Sequence, residues 1–219
     1  MHISDGVLPL PVVAGGWIIT IILLAVTLRW AGRHGDIAKE IPKLSVLTSA
    51  FFVASLIHID IPPSSAHLIL NGLLGIFLGP LCYVAMFIGL ILQALLFQHG
   101  GITVIGINTL NIGIPGLICY LVFLAGYRRK IPLTLLGGIC CGLAVLLTVV
   151  CLVGVLVISG EQFVTVAGLL AVAHIPIMIA EAVVGGAVVG YVARVKPELL
   201  PIPLAGGKSE DQNNNENEA

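Results

Sequence analysis

The sequence has 219 residues, of which 58% are hydrophobic and only 10% are charged, and its mean hydropathy is +1.11. A soluble domain carries about 25% charged residues, so this composition predicts a polytopic membrane protein. The formal net charge of −1 gives no electrostatic support for nucleic-acid binding.

Apolar segments follow one another along nearly the whole chain. They lie near residues 12–30, 43–59, 65–78, 79–97, 107–127, 131–158 and 163–195. With about 20 apolar residues needed for each spanning helix, they predict an all-α membrane bundle of about seven transmembrane segments. Segment 65–78 is too short to cross alone without bilayer thinning or burial against its neighbours. Pro176 is expected to kink the long segment 163–195.

The basic residues predict the orientation of this bundle. With seven crossings, all ten fall on one side: Arg29, Arg33, Lys39, Lys43, Arg128, Arg129, Lys130, Arg194, Lys196 and Lys208. The positive-inside rule makes that side cytoplasmic, so the N-terminus is expected outside the cell membrane of a prokaryote and the C-terminus in the cytoplasm. Residues 1–200 are expected to form one transmembrane domain. Residues 201–219 are expected to form a polar, disordered cytoplasmic tail.

The first six residues, "MHISDG", form an unusual start for an apolar chain. They lack the basic residues and the cleavage site of a signal peptide, and His2 is too large for normal removal of the initiator methionine, so the mature chain is expected to begin at Met1. The amine of Met1, the amide nitrogen of His2 and its Nδ1 can close adjacent chelate rings around one metal ion. One further imidazole would complete a square-planar site of four nitrogens, a geometry typical of Ni(II) or Cu(II), with low-spin Co(II) also possible.

His67, in "PPSSAHLILNG", is the best candidate for this fourth ligand. It follows a Pro62-Pro63 turn and two hydroxyl residues that could begin a helix at Ser64 or Ser65, which would place His67 in the first turn of a half-length helix. Transporters build sites at such helix breaks. The alternative is that the four histidines expected on the outer side, His2, His58, His67 and His99, are interfacial residues that bind no metal.

Four stretches together resemble a known family: "MHISDG", "SSAHLILNGLLG", "LLFQHGGITVIGINT" and "AHIPIMIAEAVVGGAVVGYVARVKPELL". They are similar to the substrate-binding (S) subunit of energy-coupling-factor importers for cobalt and nickel, the CbiM/NikM type, from residue 1 to about residue 200. The resemblance implies a metal-capture domain whose ligands are Met1, His2 and His67. It implies Ni(II) or Co(II) as the bound substrate and no organic cofactor. Leu68 to Leu70 stand where other branches of the family have a proline and polar residues after the later histidine, so the choice between the two metals stays open.

Other polar residues have two interpretations each. His99, with Gly100, Gly101 and Asn108, resembles a family loop that covers the site, and is otherwise a loop that turns on its glycines. Asp5 is expected either to orient His2 or to cap a loop.

His174 and Glu181 share one face of the last segment. They are interpreted as a polar pair that locks two helices or touches a partner subunit, and alternatively as a proton relay. The five cysteines lie in apolar segments with no CxxC pattern and are interpreted as packing residues.

The leading hypothesis is a non-enzymatic metal-binding subunit that needs an ATPase. "GGKS" at 206–209 is not a phosphate-binding loop, because Ile202 stands where that motif requires glycine, and no H-E-x-x-H pair exists. The resemblance implies four kinds of partner: a transmembrane coupling subunit, two ABC-type ATPase subunits, membrane lipid and, in many systems, a small auxiliary membrane protein. The alternative is a proton-coupled secondary divalent-metal transporter.

Overall fold

The chain folds into a helical bundle, described by a computed structural model that covers residues 2–61 and 64–202. Its helices are α1 (Leu10–His34), α2 (Ile37–Ala54), α3 (Asn71–Leu78), α4 (Cys82–Phe97), α5 (Ile105–Arg128), α6 (Leu133–Ser159) and α7 (Val164–Val195). Short 3₁₀ turns occupy Gly79–Leu81, Glu161–Phe163 and Pro197–Leu199. The prediction of a helical membrane bundle is confirmed. Met1 and residues 203–219, which include most of the predicted tail, lie outside the described residues.

A short antiparallel hairpin interrupts the helices between α2 and α3. Strand β1 (His58–Ile61) pairs with β2 (Ser64–His67), and His58 lies opposite His67. The prediction that a helix begins at Ser64 or Ser65 is therefore wrong. Ser64 and Ser65 pair with Ile61 and Asp60 of β1 in an antiparallel register, and the helix starts later, at Asn71.

Helix α3 lies at the centre of the bundle. All eight of its residues are buried, as is typical of a helix that is apolar on every side. It packs against α5 and α6, with α2 and α4 also in contact. The expected burial of this short segment against its neighbours is thus confirmed.

The chain reverses direction between α3 and α4. The ring of His67, just before α3, and the ring of His99, just after α4, both lie beside His2, with centroid separations of 4.8 Å and 6.1 Å. A straight helix over the 27 residues of Asn71–Phe97 would separate its ends by about 40 Å. The turn occurs at Gly79, where φ is +55°, and Pro80.

Five helical stretches in the described ranges are long and apolar enough to cross a membrane: Leu10–His34, Asn71–Phe97, Ile105–Arg128, Leu133–Ser159 and Glu161–Val195. Because Asn71–Phe97 doubles back, it does not make a single straight crossing. Helix α2 carries Lys39, Glu40 and Lys43 in its first two turns and is not among the five. Seven crossings, and the sides on which the termini lie, stay predictions.

The contact between α3 and α5 leaves no room for a side chain at Gly75. A methyl group placed there would meet the carbonyl oxygen of Gly116. Gly75→Ala should therefore push the helices apart and lower stability by about 1–3 kcal/mol, the usual cost of overpacking, seen as a lower midpoint of thermal unfolding in detergent. Gly154→Ala is the matched control, because nothing lies within 4 Å of a methyl group at that helical position. Equal midpoints for the two variants would contradict the tight α3–α5 contact.

Candidate metal centre

The N-terminal segment lies inside the bundle, although residues 2–4 belong to no helix or strand. Ile3 is fully buried and His2 is 3% exposed. The Ile3 N–H donates to Oδ1 of Asn108 (3.0 Å), and Nδ2 of Asn108 donates to the Ile3 carbonyl (3.1 Å). Buried backbone groups need partners, and one side-chain amide on α5 supplies both. Asn108 thereby fixes the backbone next to His2.

The loop between α4 and α5 packs closely against this segment at two glycines. A methyl group on Gly100, where φ is +76°, would lie 3.0 Å from Cβ of His2, and one on Gly101 would collide with the Asp5 carboxylate. Asp5 Oδ1 accepts hydrogen bonds from the N–H (3.1 Å) and hydroxyl (2.5 Å) of Thr103. Asp5 therefore anchors the N-terminal turn to the loop, and the glycines let the two backbones approach.

Two buried imidazoles meet at this point. Nε2 of His67 lies 3.1 Å from Nε2 of His2, and the rings stack at an interplanar angle of 25°. His67 is 2% exposed. The His99 ring lies farther away, 6.1 Å from that of His2 between centroids. The predicted residues Asp5, His99 and Asn108 are thus brought together with His2 and His67, and Met1 lies outside the described residues.

Local bonding fixes the tautomer of His67. Its Nδ1–H donates to the Leu68 carbonyl at 2.7 Å, which leaves the lone pair on Nε2, the nitrogen that faces His2. Metal-ligating histidines typically donate their other ring N–H to a backbone carbonyl or carboxylate in this way. In this tautomer the Nε2 lone pair of a neutral His67 ring is available to a metal.

The bond between the rings places a constraint on His2. Since Nε2 of His67 accepts, Nε2–H of His2 donates, and the lone pair of His2 is on Nδ1. Nδ1 is the nitrogen needed for a chelate with the N-terminal backbone. Nε2 faces His67 in this structure, so coordination through Nδ1 requires the ring of His2 to rotate about its Cβ–Cγ bond.

Glu181 has a role that the sequence did not reveal. Its Oε1 accepts hydrogen bonds from the backbone N–H groups of Ile69, in a short contact, and of Leu70, at 3.0 Å. The carboxylate is 1% exposed. His174, also on α7, is buried and donates from Nδ1 to the Leu170 carbonyl at 2.6 Å. The interpretation of Glu181 as a residue that locks α7 to another element agrees with its bonds; the only sequence signal for it is a carboxylate within an apolar helix.

The donors fit a late first-row metal only if the backbone contributes. In residues 2–61 and 64–202, no three His, Cys, Asp or Glu side chains lie close enough to hold one ion. The neutral imidazole pair supplies two nitrogens of a kind that suits Ni, Co, Cu or Zn. An ion bound between His2 and His67 would need its other donors from the N-terminal backbone.

One known protein family matches nearly the whole chain. The sequence profile of the CbiM family, described as the cobalt uptake substrate-specific transmembrane region, matches residues 2–199. The chain belongs to the CbiM family. The resemblance noted in the sequence is therefore confirmed, and this CbiM chain is a membrane component of cobalt or nickel transport.

Several relatives are transport proteins by name. A metal transport protein of Haemophilus influenzae is 31% identical over 204 residues, 91% of this chain and 97% of the relative. A fused nickel transport protein, NikMN, of Archaeoglobus fulgidus is 28% identical and covers 95% of this chain, which spans 70% of the fusion. A fused cobalt transport protein, CbiMQ, of Methanocorpusculum labreanum is 27% identical over 221 residues, and this chain spans 36% of it.

A solved structure shares the CbiM chain's fold. The crystal structure of a transition metal transporter superposes with a TM-score of 0.81, covering 89% of this chain and 93% of the other. The sequences are 24% identical, so this likeness shows the fold alone.

The two hydrogen bonds of Asn108 should control the order of the N-terminal segment. In Asn108→Ala the buried N–H and carbonyl of Ile3 lose their partner, at a cost of about 1–3 kcal/mol for each unsatisfied group. We expect a lower unfolding midpoint and faster amide deuterium exchange at residues 2–4, measured by mass spectrometry. Thr109→Val is the control, since the Thr109 hydroxyl bonds only the Ile105 carbonyl of its own helix among the bonds described for it (2.7 Å). The same exchange rates in both variants would refute the role of Asn108.

Proposed function

We propose that this protein captures Ni(II) or Co(II) as the substrate-binding subunit of an ATP-driven energy-coupling-factor importer. The observation that carries the proposal is the buried His2–His67 pair, 3.1 Å apart, at the end of an N-terminal segment held by Asn108. Interfacial histidines without a ligand role would face the headgroups and water, but both of these rings are less than 4% exposed. Membership of the CbiM family supports the same function.

The metal site proposed here is a square plane of four nitrogens. They are the amine of Met1, the amide nitrogen and Nδ1 of His2, and Nε2 of His67. The first three close two chelate rings, and coordination makes loss of the amide proton feasible. The tautomer of His67 already presents the Nε2 lone pair, because Nδ1–H is bonded to the Leu68 carbonyl.

Nickel and cobalt both suit this donor set. Intrinsic affinity rises from Co(II) to Ni(II) and to Cu(II), so a four-nitrogen site should prefer nickel over cobalt in a binding assay. The metal carried in the cell depends in addition on which ion is available.

The proposed partners are a transmembrane coupling subunit and two ABC-type ATPase subunits. Two relatives support an assembly of several components, because their names describe fusions in which a region like this chain is one part. Energy from outside the chain is needed if the metal is to leave so tight a site. A small auxiliary membrane protein is a further proposed partner.

The alternative, a proton-coupled secondary transporter, has weaker support. It would use His174 and Glu181 as a relay, but Oε1 of Glu181 is engaged by the Ile69 and Leu70 N–H groups and Nδ1 of His174 by its own helix. Transport by it would need no ATPase and would stop when an uncoupler collapses the proton gradient.

We further propose seven crossings with the metal site at the outer end. The opposite end gathers the α1–α2 turn, the α3–α4 reversal and the C-terminal 3₁₀ turn around one cavity, whose lining includes Lys39, Lys43, Pro80, Tyr120 and Glu198. Basic residues thus concentrate at the end away from His2, as the positive-inside rule requires of a cytoplasmic face.

An N-terminal extension tests the metal site directly. One Ala added before Met1 converts its amine into an amide, while every side chain stays in place. Loss of an outer-shell partner costs about 10- to 100-fold in metal affinity, so loss of this ligand should weaken Ni(II) binding by more than about 100-fold in calorimetry. One Ala added after Ala219 is the control and should change nothing. Tight binding by the N-terminally extended protein would exclude the Met1 amine as a ligand.

Cysteine labelling tests the orientation. Ile102 in the α4–α5 loop is 58% exposed, and Arg129 follows α5 at the opposite end. Ile102→Cys should react with an impermeant maleimide added to intact cells, whereas Arg129→Cys should react only after lysis. The unmodified protein is the background control, because its cysteines are buried or half-buried. Labelling of the Arg129 variant alone in intact cells would reverse the proposed topology.

A further inference from the structure

The segment between β2 and α3 joins the imidazole of His67 to the carboxylate of Glu181. The Leu68 carbonyl accepts the Nδ1–H of His67 at 2.7 Å. The N–H of Ile69 donates to Oε1 of Glu181. This carbonyl and this N–H belong to the same peptide unit, which is planar and rigid. One peptide plane therefore connects His67, on one side, with Glu181 on the other.

The hydrogen bonds described for Glu181 all go to this segment. Oε1 also accepts from the Leu70 N–H at 3.0 Å, and Oε2 has no hydrogen-bond partner among the described residues. Every hydrogen bond that the structure gives this carboxylate thus goes to residues 69 and 70. Glu181 lies on α7, 111 residues beyond Leu70 in the chain, and its position depends on how α7 packs.

The segment has a physical need for such a partner. Leu70 adopts a left-handed conformation, with φ of 56°, and α3 has no side-chain cap within its own segment. The N–H groups at the start of a helix are unpaired, and buried donors without partners are costly. A carboxylate satisfies them better than a neutral group, because the helix N-terminus carries partial positive charge.

We propose that Glu181 is a positioning residue for His67, acting through the Leu68–Ile69 peptide. The carboxylate fixes the peptide plane, the plane fixes the Nδ1–H bond, and this bond aims Nε2 at the metal. The arrangement corresponds to the carboxylate–histidine pairs of metal sites, with a peptide unit inserted between the two side chains. It also ties the ligand to α7. This inference rests on the proposed function, because it assigns Glu181 a role only if His67 binds metal.

Two substitutions of Glu181 separate the effect of its side-chain length from the effect of its charge. Glu181→Gln keeps an acceptor oxygen at the right distance without the charge, and Glu181→Asp keeps the charge but is shorter by one methylene. Ni(II) affinity is measured by calorimetry on purified protein, with the visible absorption spectrum of the bound ion recorded alongside. Glu181→Asp should lose about 10- to 100-fold in affinity, as for the loss of an outer-shell partner, and its spectrum should move to that of His67→Ala. Glu181→Gln should bind closer to wild type and keep the wild-type spectrum.

A double-mutant cycle decides whether the effect passes through His67. If it does, Glu181→Asp combined with His67→Ala should bind no more weakly than His67→Ala alone. Tyr83→Phe is the stability control, because it removes a buried hydrogen bond to Thr20 (3.0 Å) that involves no residue of the connection between His67 and Glu181. It should alter the unfolding midpoint but neither the affinity nor the spectrum.

The outcomes distinguish this inference from the proposed function. Wild-type affinity in His67→Ala would refute the proposed metal site itself. Weak binding in His67→Ala, together with wild-type affinity in Glu181→Asp or with additive losses in the double variant, would overturn the role of Glu181 alone. If Glu181→Asp fails to fold, the cycle is run with Glu181→Ala, which removes the acceptor oxygens altogether, and a spectrum unchanged from wild type in a variant weakened tenfold or more would equally overturn the role of Glu181.

Discussion

The burial of an N-terminal backbone that belongs to neither helix nor sheet is the constraint on which the rest of the structure depends. Such a backbone reaches the interior only if its polar groups find partners, and for Ile3 both partners are on Asn108. The glycines of the α4–α5 loop and the Asp5–Thr103 bonds serve the same need. Without it His2 would lie at the membrane surface, where water would compete for any metal.

The position of His67 depends on the short length of helix α3. Helix α3 has eight residues and all are buried, so the segment that precedes it enters the bundle in extended form instead of staying at the surface. That places His67 at depth, and it creates unpaired N–H groups at residues 69 and 70. Glu181 accepts from both. The two halves of the site are thus stabilised by side chains from α5 and α7, while the His2 and His67 rings themselves come from non-helical backbone.

Much of this was predictable from the sequence, and the reasons for the failures are physical. Hydropathy located the apolar helices, and the predicted boundary between segments 65–78 and 79–97 coincides with the turn at Gly79 and Pro80, because both residues disfavour a continuous helix. The resemblance to the CbiM family was confirmed. The start of α3 was wrong because Ser64 and Ser65 are good N-caps, whereas their backbone in fact pairs with β1, a partner that local propensity does not reveal. The predicted seven crossings stay a prediction, since α2 begins with charged residues and Asn71–Phe97 folds back. The capping role of Glu181 was beyond sequence reasoning, because its partners lie more than 100 residues away.

The central position of α3 has a consequence for biogenesis. A membrane chain is made from its N-terminus, and early segments fold before later ones exist. The surfaces that enclose α3 belong largely to α5 and α6, and the carboxylate that accepts from the two residues just before it belongs to α7, so none of them is present when α3 leaves the ribosome. During synthesis the eight-residue helix must therefore lie in lipid or against α2 until α5, α6 and α7 have been made. Glu181 on α7 also bonds the segment that follows His67, so the surroundings of the His2–His67 pair are complete only after α7 has been inserted.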